Sequence, residues 1–436
     1  MLGAGWVGLV TAACFAELGH QVVVRDIDAE RIEALTGGEV PIYEAGLADL
    51  FDRNRDRLRF TLDIGDVVEN AGIVFVCVGT PPLPSGDADL SAVWQVVDEL
   101  AGLDARLVLV MRSTVPVRTG ERVRARLDAR GLAHVGYVSN PEFLAEGTAV
   151  ANFTHPDRVV IGTFVEADGD RVARLFETLG APVVRTDVAS AEMIKLASNA
   201  ALVTRISFIN EIANVCELVG ADVEEVARGV GLDHRIGPYF LRAGIGYGGS
   251  CFPKDASALK QIAANSGYHF QLLTAVIEVN ELQKRRVVQK LQAHLGPLQG
   301  RTVALLGLAF KPHTNDLRGA PSLVLAARLM TEGAIVRVWD PVALEEAASL
   351  LVGAELYDNV LEAVEDADAA VVVTEWPELR GLASPKVREA MRTPLIVDGR
   401  NLLDPQTVRT AGFAYESVGR RPALLSQSVH GLTTAS

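Results

Sequence analysis

Twice along this chain, short unbroken runs of Val, Ile and Leu alternate with stretches of helical periodicity. In the first half the runs are residues 21–25, 73–78, 107–111 and 135–138, with helical patterns such as 91–100 and 118–127 between them. The second half repeats the alternation at 303–308, Ile335–Trp339, 369–374 and 395–397, with helical patterns at 322–332 and 344–351. A strand that is apolar on both faces must be covered on both faces. Each half therefore reads as a parallel sheet between helical layers. Between the halves, residues 189–219 hold neither Gly nor Pro. Ile194, Leu202, Ile206, Ile209, Ile212 and Val215 recur there at helical spacing, and Gly220 provides the stop. At 1.5 Å per residue such a helix spans ~45 Å, a length suited to joining two lobes and to forming a dimer seam. Further helical pattern covers 223–229, 256–265 and 272–294, before a break at Gly296-Pro297.

The chain has 436 residues, enough for about three domains. The pattern divides it into a sheet domain at 1–187, a helical connector at 188–297, a second sheet domain at 298–420 and a polar, aperiodic tail at 421–436. With 49% hydrophobic and 22% charged residues, disorder and fibrous structure are excluded for the chain as a whole. Fifty-five acidic against 41 basic residues give a net charge of −14, so no broad basic surface is available for nucleic acid. Cys14, Cys77, Cys216 and Cys251 are widely spaced and form no CxxC pair. Neither a metal site nor a disulfide framework is expected, and a reducing cytoplasmic compartment fits. No segment has the length and composition of a signal peptide or membrane span, so a soluble protein is expected.

Gly3-Ala4-Gly5-Trp6-Val7-Gly8 fits G-x-G-x-x-G and opens an apolar helix over residues 9–18. Glycines at these positions allow a tight turn, close approach of a pyrophosphate and close helix packing. Asp26 ends the next strand, 18 residues beyond Gly8, where a carboxylate holds an adenine ribose and disfavours an extra 2′-phosphate. The plainer alternative is a Gly-rich start of an ordinary helix. Only Met1 and Leu2 precede Gly3, whereas such a unit needs a first strand of about five residues. Either the start is misassigned or the central strand is cut short, and the chain as written is expected to lose stability and cofactor affinity. Together these features describe an α/β protein of two Rossmann-like parallel-sheet domains joined by a long central helix.

In open α/β sheets, ligands sit beyond the carboxyl ends of the strands. Three runs end there in polar residues and proline: Thr80-Pro81-Pro82, Ser113-Thr114-Val115-Pro116 and Ser139-Asn140-Pro141-Glu142. Each alone is ordinary turn chemistry, but three at one edge suggest a shared cleft. Asn140 is expected to cap a helix with Pro141 in its first position, which would put Glu142 and Glu146 on one helical face. Two acids so placed can hold a water or act as acid and base; a solvated helix start explains them equally well. On the long helix, Lys195 and Asn199 stand four apart and can donate to a developing alkoxide. A lysine snorkelling beside a polar interface residue is the alternative.

The segment Gly244-Ile245-Gly246-Tyr247-Gly248-Gly249-Ser250-Cys251-Phe252-Pro253-Lys254-Asp255 has four glycines in six residues. Pro253 reads as the first position of a helix, with Asp255 in its first turn. Cys251 thus lies just before a helix N-terminus with Lys254 nearby, and both features favour thiolate. A small residue in a tight turn is the alternative. Beside a nicotinamide cofactor, a cysteine nucleophile serves a second oxidation. Its adduct with an aldehyde can release hydride, leaving a thioester for water to cleave.

These segments, with A-E-M-I-K-L-A-S-N-A, R-I-S-F-I-N-E-I-A-N, G-L-A-F-K-P-x-T-N-D-L-R and D-G-R-N, resemble the nucleotide-sugar 6-dehydrogenases of the UDP-glucose/GDP-mannose dehydrogenase family from Leu2 to about Arg420. The resemblance implies an NAD-dependent four-electron oxidation of a UDP-sugar, serving polysaccharide synthesis. The first domain would bind NAD and the second the UDP-sugar. It makes Cys251 the thioester nucleophile. Lys195, Asn199 and Asp255 would assist the first oxidation, Thr114 and Glu146 would position water, and Glu142 would support them. Gly3, Gly5, Trp6, Val7, Gly8, Asp26, Arg31, Thr80, Thr114 and Arg318 would contact NAD. Phe143, Leu144, Lys195, Asn199, Phe240, Tyr247, Gly248, Gly249, Phe310, Lys311 and Arg400 would frame the substrate. Arg235 would reach a neighbouring subunit's sugar site, implying a homodimer. The S-C-F-P-K-D form looks like that of the UDP-glucose group. Relatives acting on UDP-N-acetylmannosamine or GDP-mannose, a single-step hydroxyacid dehydrogenase and a non-catalytic NAD-binding protein are the competing readings.

Overall fold

The computed structural model describes residues 1–101 and 106–420. The tail expected at 421–436 lies outside the described residues. The chain forms two compact units, one of Met1–Ala201 with Lys254–Gln271, the other of Leu202–Pro253 with the chain from Leu272 onward. The divisions fall inside three helices, Val188–Val219, Phe252–Asn265 and Gln271–Gln283.

The first unit contains β1 (Val22–Arg25), β2 (Leu58–Thr61), β3 (Ile73–Val76), β4 (Val108–Met111), β5 (Gly136–Ser139), β6 (Val159–Thr163) and β7 (Val183–Thr186). β1 pairs with β2, and β3 to β7 follow one another in order. Leu2 bridges Arg25 and Val76, both in parallel, so residues 1–3 occupy the slot between β1 and β3. Leu2 N–H donates to Phe75 O at 2.8 Å and Leu2 O accepts from Cys77 N at 2.7 Å, while Gly3 N–H reaches Arg25 O at 2.8 Å. These few bonds stand where a five-residue central strand was expected. From β2 through residues 1–3 to β5, the strand order is that of a doubly wound sheet.

One face of this sheet packs Leu9, Val10 and Phe15 of the helix Trp6–Glu17 against Phe75, Val108 and Val110. The other packs Val93, Val97, Val123 and Leu127 against Val74, Leu109 and Met111. Each such side chain contributes about 1.5–3 kcal/mol when buried, enough to fix which strand residues point to which layer.

Two features of the first unit differ from expectation. The sheet is not wholly parallel, because β6 runs antiparallel to β5. Within the intervening segment, Ala149 and Phe153 pack on the same face of the sheet as the helix Trp6–Glu17. Nor does a helix begin at Asn140. Residues 140–148 are irregular, and the next helix is Ala149–Thr154.

The second unit contains β8 (Thr302–Leu306), β9 (Ile335–Trp339), β10 (Glu355–Leu356), β11 (Ala369–Val372), β12 (Leu395–Asp398) and β13 (Ala414–Ser417). All six are parallel, in the order β10-β9-β8-β11-β12-β13. The single helical pattern at 272–294 is two helices, Gln271–Gln283 and Arg286–Leu295. At the break, Arg285 N–H bonds back only three residues, to Leu282 O. Gln283 meanwhile spends its amide on Gly244 O at 2.9 Å, a tertiary contact that periodicity does not reveal. The long helix begins where the Asp187 carboxylate accepts from Ser190 N and Oγ, at 2.8 and 2.7 Å. It ends at Gly220, whose φ of 75° only glycine adopts at low cost.

Candidate active site

The glycine turn is built by exclusion. Gly3 has φ +103°, and a Cβ there would stand 2.6 Å from Cys77 O; a Cβ on Gly8 would stand 2.0 Å from Gly3 O. Gly5 is different: nothing lies within 4 Å of where its Cβ would be. It is also the N-cap of the helix Trp6–Glu17, and no side chain caps that helix. An uncapped helix start facing open space suits a pyrophosphate. Val7 packs partly buried on the first-unit core. Trp6 is half-buried and donates Nε1 to Glu44 Oε2 at 3.1 Å.

Asp26 follows β1 directly. Its Oδ2 accepts from Ala4 N at 2.6 Å and its Oδ1 from Asp28 N at 3.0 Å, with Arg31 Nη1 3.4 Å from Oδ2. The carboxylate is thus fixed at the turn and keeps acceptor capacity for a ribose diol. The residues fit a dinucleotide with an unphosphorylated adenine ribose.

The three polar strand ends do meet at one edge. Thr80 Oγ1 donates to Thr114 O at 2.8 Å, and Ser113 Oγ to Val78 O at 2.7 Å. Asn140 does not cap a helix. Its Nδ2 donates to Val160 O at 2.8 Å, and its Oδ1 accepts from Arg112 Nη1 at 2.8 Å. The two acids consequently do not share a helical face. Glu142 is buried and pairs with Lys195 Nζ at 2.9 Å, while Glu146 lies half-buried in a turn. Burial alone would raise the Glu142 pKa. The Lys195 charge and hydrogen bond, the Leu144 amide and the Arg112 charge together hold it below the ordinary carboxylate value.

Lys195 is 3% exposed, which removes the snorkelling alternative. Its ammonium also lies 5.5 Å from the Phe143 ring centroid, and the Arg158 guanidinium covers the same ring at 3.5 Å. One turn along, Asn199 Nδ2 donates to Asp255 Oδ2 at 2.6 Å, and Lys254 Nζ takes the other oxygen at 2.6 Å. Lys195 and Asn199 therefore present donors already anchored by separate buried carboxylates.

In the second unit, Cys251 is half-buried immediately before the helix Phe252–Asn265, with Ser250 Oγ 3.5 Å from its sulfur. Pro253 is the second helical residue rather than the first. The other three cysteines are buried, and loss of solvation pushes Cys14 up to about 12 and Cys77 up to about 11, leaving them inert thiols.

The glycine loop before Cys251 is tightly seated. A Cβ on Gly248 would stand 2.3 Å from Gly319 O, and one on Gly249 2.8 Å from the Phe310 ring. Tyr247 is clasped by Asn280, which accepts from its N–H at 2.8 Å and donates to its carbonyl at 3.2 Å. Arg400 donates to Gly246 O at 3.0 Å, Val373 O at 2.7 Å and Phe310 O at 3.4 Å, drawing three loops together. Lys311 Nζ lies 5.4 Å from the Phe310 ring centroid. Arg318 is held by Asp316, and its carbonyl accepts from Gly249 N at 2.8 Å. Arg235, 78% exposed in its side chain, is chelated by Asp233. Phe240 is exposed and takes a positive φ of 60°.

Comparison with known proteins accounts for this arrangement along nearly the whole chain. Residues 1–180 match the NAD binding domain of the UDP-glucose/GDP-mannose dehydrogenase family, residues 189–282 its central domain and residues 304–405 its UDP binding domain. The chain belongs to the UDP-glucose/GDP-mannose dehydrogenase family. A UDP-glucose 6-dehydrogenase of Bacillus subtilis, TuaD, is 47% identical over 96% of this chain and 92% of its own length. One from Pseudomonas aeruginosa is 47% identical over 96% and 97%. Among solved structures, a UDP-glucose dehydrogenase from Pyrobaculum islandicum aligns with a TM-score of 0.89 at 36% identity, covering 96% of each chain.

This member of the UDP-glucose/GDP-mannose dehydrogenase family thus carries an NAD binding domain and a UDP binding domain. No described helix is long and apolar enough to cross a membrane, and no group of three described His, Cys, Asp or Glu side chains could hold a metal ion. Sequence reasoning missed three supporting residues. Arg112 fixes Asn140. Arg205 donates to the carbonyls of Ile236, Gly237 and Tyr239 and so shapes the segment between Arg235 and Phe240. Glu44 ties Trp6 to the segment after Glu146. Arg205 opens a recognisable motif and Arg112 directly precedes one, and a charged residue beside apolar neighbours was the available signal. Glu44 lies in an aperiodic loop that offers none.

Proposed function

We infer that this chain is an NAD-dependent UDP-glucose 6-dehydrogenase, oxidising the C6 alcohol of UDP-glucose to the carboxylate of UDP-glucuronate. The observation that carries this reading is the full-length similarity to two bacterial UDP-glucose 6-dehydrogenases, together with a lone half-buried cysteine at a helix start. NAD, bound at the Gly3 turn and Asp26, supplies the hydride acceptor for each of two oxidations.

Asn199 and Lys195 stabilise the developing alkoxide, and Asp255 holds the proton released from the C6 hydroxyl through water. The Cys251 thiolate then adds to the aldehyde carbon. Loss of hydride from that tetrahedral adduct leaves a thioester. Water held by Thr114 and Glu146 attacks its carbonyl, the C–S bond breaks, and the thiol is regenerated with the acid. Glu142 keeps Lys195 in place. Phe143, Leu144, Phe240, Tyr247, Gly248, Gly249, Phe310, Lys311 and Arg400 frame the UDP-sugar, and Arg318 serves the nicotinamide side. Arg235 serves a neighbouring subunit, so the working form is a homodimer. A Cys251 outside any disulfide suits the reducing cytoplasm.

The test is the yield of NADH per UDP-glucose at completion. Two are expected, with poor turnover of UDP-N-acetylmannosamine and GDP-mannose; one would mean a single-step alcohol dehydrogenase. Cys251→Ser is expected to stop short of rapid acid formation, and normal acid production by that variant would remove the thioester route. Light scattering at working concentration checks the dimer.

A further inference from the structure

Glu44 lies on the loop before the helix Leu47–Arg53 and is 7% exposed. Its carboxylate joins two segments distant in sequence. Oε2 accepts from Trp6 Nε1 at 3.1 Å and from Gly147 N at 2.6 Å, while Oε1 accepts from Ala149 N at 2.8 Å. Gly147 N belongs to the peptide that directly follows Glu146. Gly147 itself has φ 78°, so the chain turns sharply there. The other end of the same irregular segment is held by Arg112 through Asn140. One carboxylate oxygen therefore bonds both the indole of the cofactor turn and the amide beside the proposed water-handling acid.

We propose that Glu44 is a positioning residue for the hydrolytic half of the reaction, setting Glu146 against the cofactor turn. The inference rests on the reading of Glu146 given above. Buried, charged and satisfied by N–H donors, Glu44 fixes the Glu146–Gly147 peptide more firmly than a neutral acceptor would. Loosening that peptide slows attack of water on the Cys251 thioester. The preceding hydride transfers, served by Lys195, Asn199 and Asp255, are left largely intact. A neutral amide at position 44 keeps the volume but loses one of the two acceptor oxygens.

The experiment uses the full-length enzyme with UDP-glucose and NAD, comparing wild type with Glu44→Gln, Glu44→Asp, Trp6→Phe and Glu146→Gln. The readouts are steady-state rates, intact mass after rapid quenching and thermal unfolding. For Glu44→Gln, kcat is expected to fall about 10- to 100-fold, with KM for UDP-glucose changed less than about 3-fold. The mass of a covalent sugar adduct is expected to accumulate on the enzyme. Glu44→Asp keeps the charge but not the reach, and is expected to accumulate the same adduct if the Gln variant folds poorly. Trp6→Phe is expected to raise KM for NAD without accumulating adduct. Equal slowing of both hydride transfers with no adduct, or a lowered unfolding temperature with unchanged kcat, would make Glu44 merely structural and overturn the proposal. If Glu146→Gln accumulates no adduct while wild type still yields two NADH per sugar, the role given to Glu146 falls, and the inference with it.

Discussion

The two sheets begin alike and part company within one turn. In the first, Gly3 N–H donates to Arg25 O, the last residue of the neighbouring strand, and Asp26 follows and accepts from Ala4 N. In the second, Gly307 N–H donates to Trp339 O, and Asp340 follows and accepts from Leu308 N at 2.6 Å. Both glycines have φ near 90–103° and no room for a Cβ. Then the paths diverge. The first sheet starts its helix at Trp6, whereas the second inserts a long loop and starts its helix at Pro321. Asp340 also accepts from Ala309 N, Val342 N, Ala343 N and Trp376 Nε1. A carboxylate has about four lone-pair positions, so Asp340 is saturated while Asp26 is not. The same strand, glycine and acid make the proposed cofactor site in one domain and a structural rivet in the other. What separates them is how many donors the surrounding fold aims at the acid.

That contrast can be broken most directly at Asp340. Asp340→Ala leaves five donors, four of them buried, without their acceptor and is expected to cost about 4 kcal/mol or more in denaturant unfolding. A loss below about 1 kcal/mol would show that the acid is no rivet. Next come the two glycines. Gly3→Ala and Gly307→Ala each force a left-handed alanine against packed atoms and are each expected to cost about 3 kcal/mol. A large difference between them would mean the two turns are not equivalent.

The two units also each bury a carboxylate whose ionisation the fold opposes. Glu192 accepts from Arg118 N and Gly120 N, yet burial raises its pKa to about 7 from 4.5; burial also raises Asp398. A carboxyl group raised in the folded state favours folding fully below its unfolded pKa. It loses that contribution as pH climbs toward the folded value. Stability is therefore expected to fall by about 2 kcal/mol between about pH 5 and pH 8, and Glu192→Gln to flatten much of that slope in unfolding curves. An unchanged slope would place its source elsewhere.

The smallest effect on stability is expected at Asp26, where the cost falls on binding instead. Asp26→Asn should weaken NAD about tenfold, about 1.4 kcal/mol, and narrow the discrimination against NADP. Isothermal titration checks both, and an unchanged affinity would remove Asp26 from the site.

Much of this architecture was legible in the residue pattern. Continuous apolar runs located β3, β4, β8, β9, β11 and β12 to within a residue or two at most ends, because a strand buried on both faces tolerates little else. A stretch without Gly or Pro gave the long helix, which begins at Val188 and ends at Val219. The Asn140 segment was misread for an equally physical reason. Asn-Pro-Glu is a good local helix start, but Arg112 and Val160 claim the Asn140 side chain and Lys195 claims Glu142. Those partners outbid the local preference and hold the segment open. The glycine fingerprint does separate the two acids, since residues 307–312 read G-L-A-F-K-P without the second and third glycines of residues 3–8, but the number of donors that meets each acid is not written there.

The sequence by itself determined the strands buried on both faces, the long helix, the tight glycine turn at Gly3, and that Cys251 stands at a helix start. These are local matters of steric freedom and of apolar periodicity matched to burial. Only the tertiary structure decided which donors each acid meets. Lys195 reaches Glu142 across 53 residues, and Glu44 reaches Gly147 across 103. A buried charge must be satisfied by whatever the fold brings within 3 Å of it, and that neighbourhood is fixed by how the elements pack, not by what stands beside it in the chain.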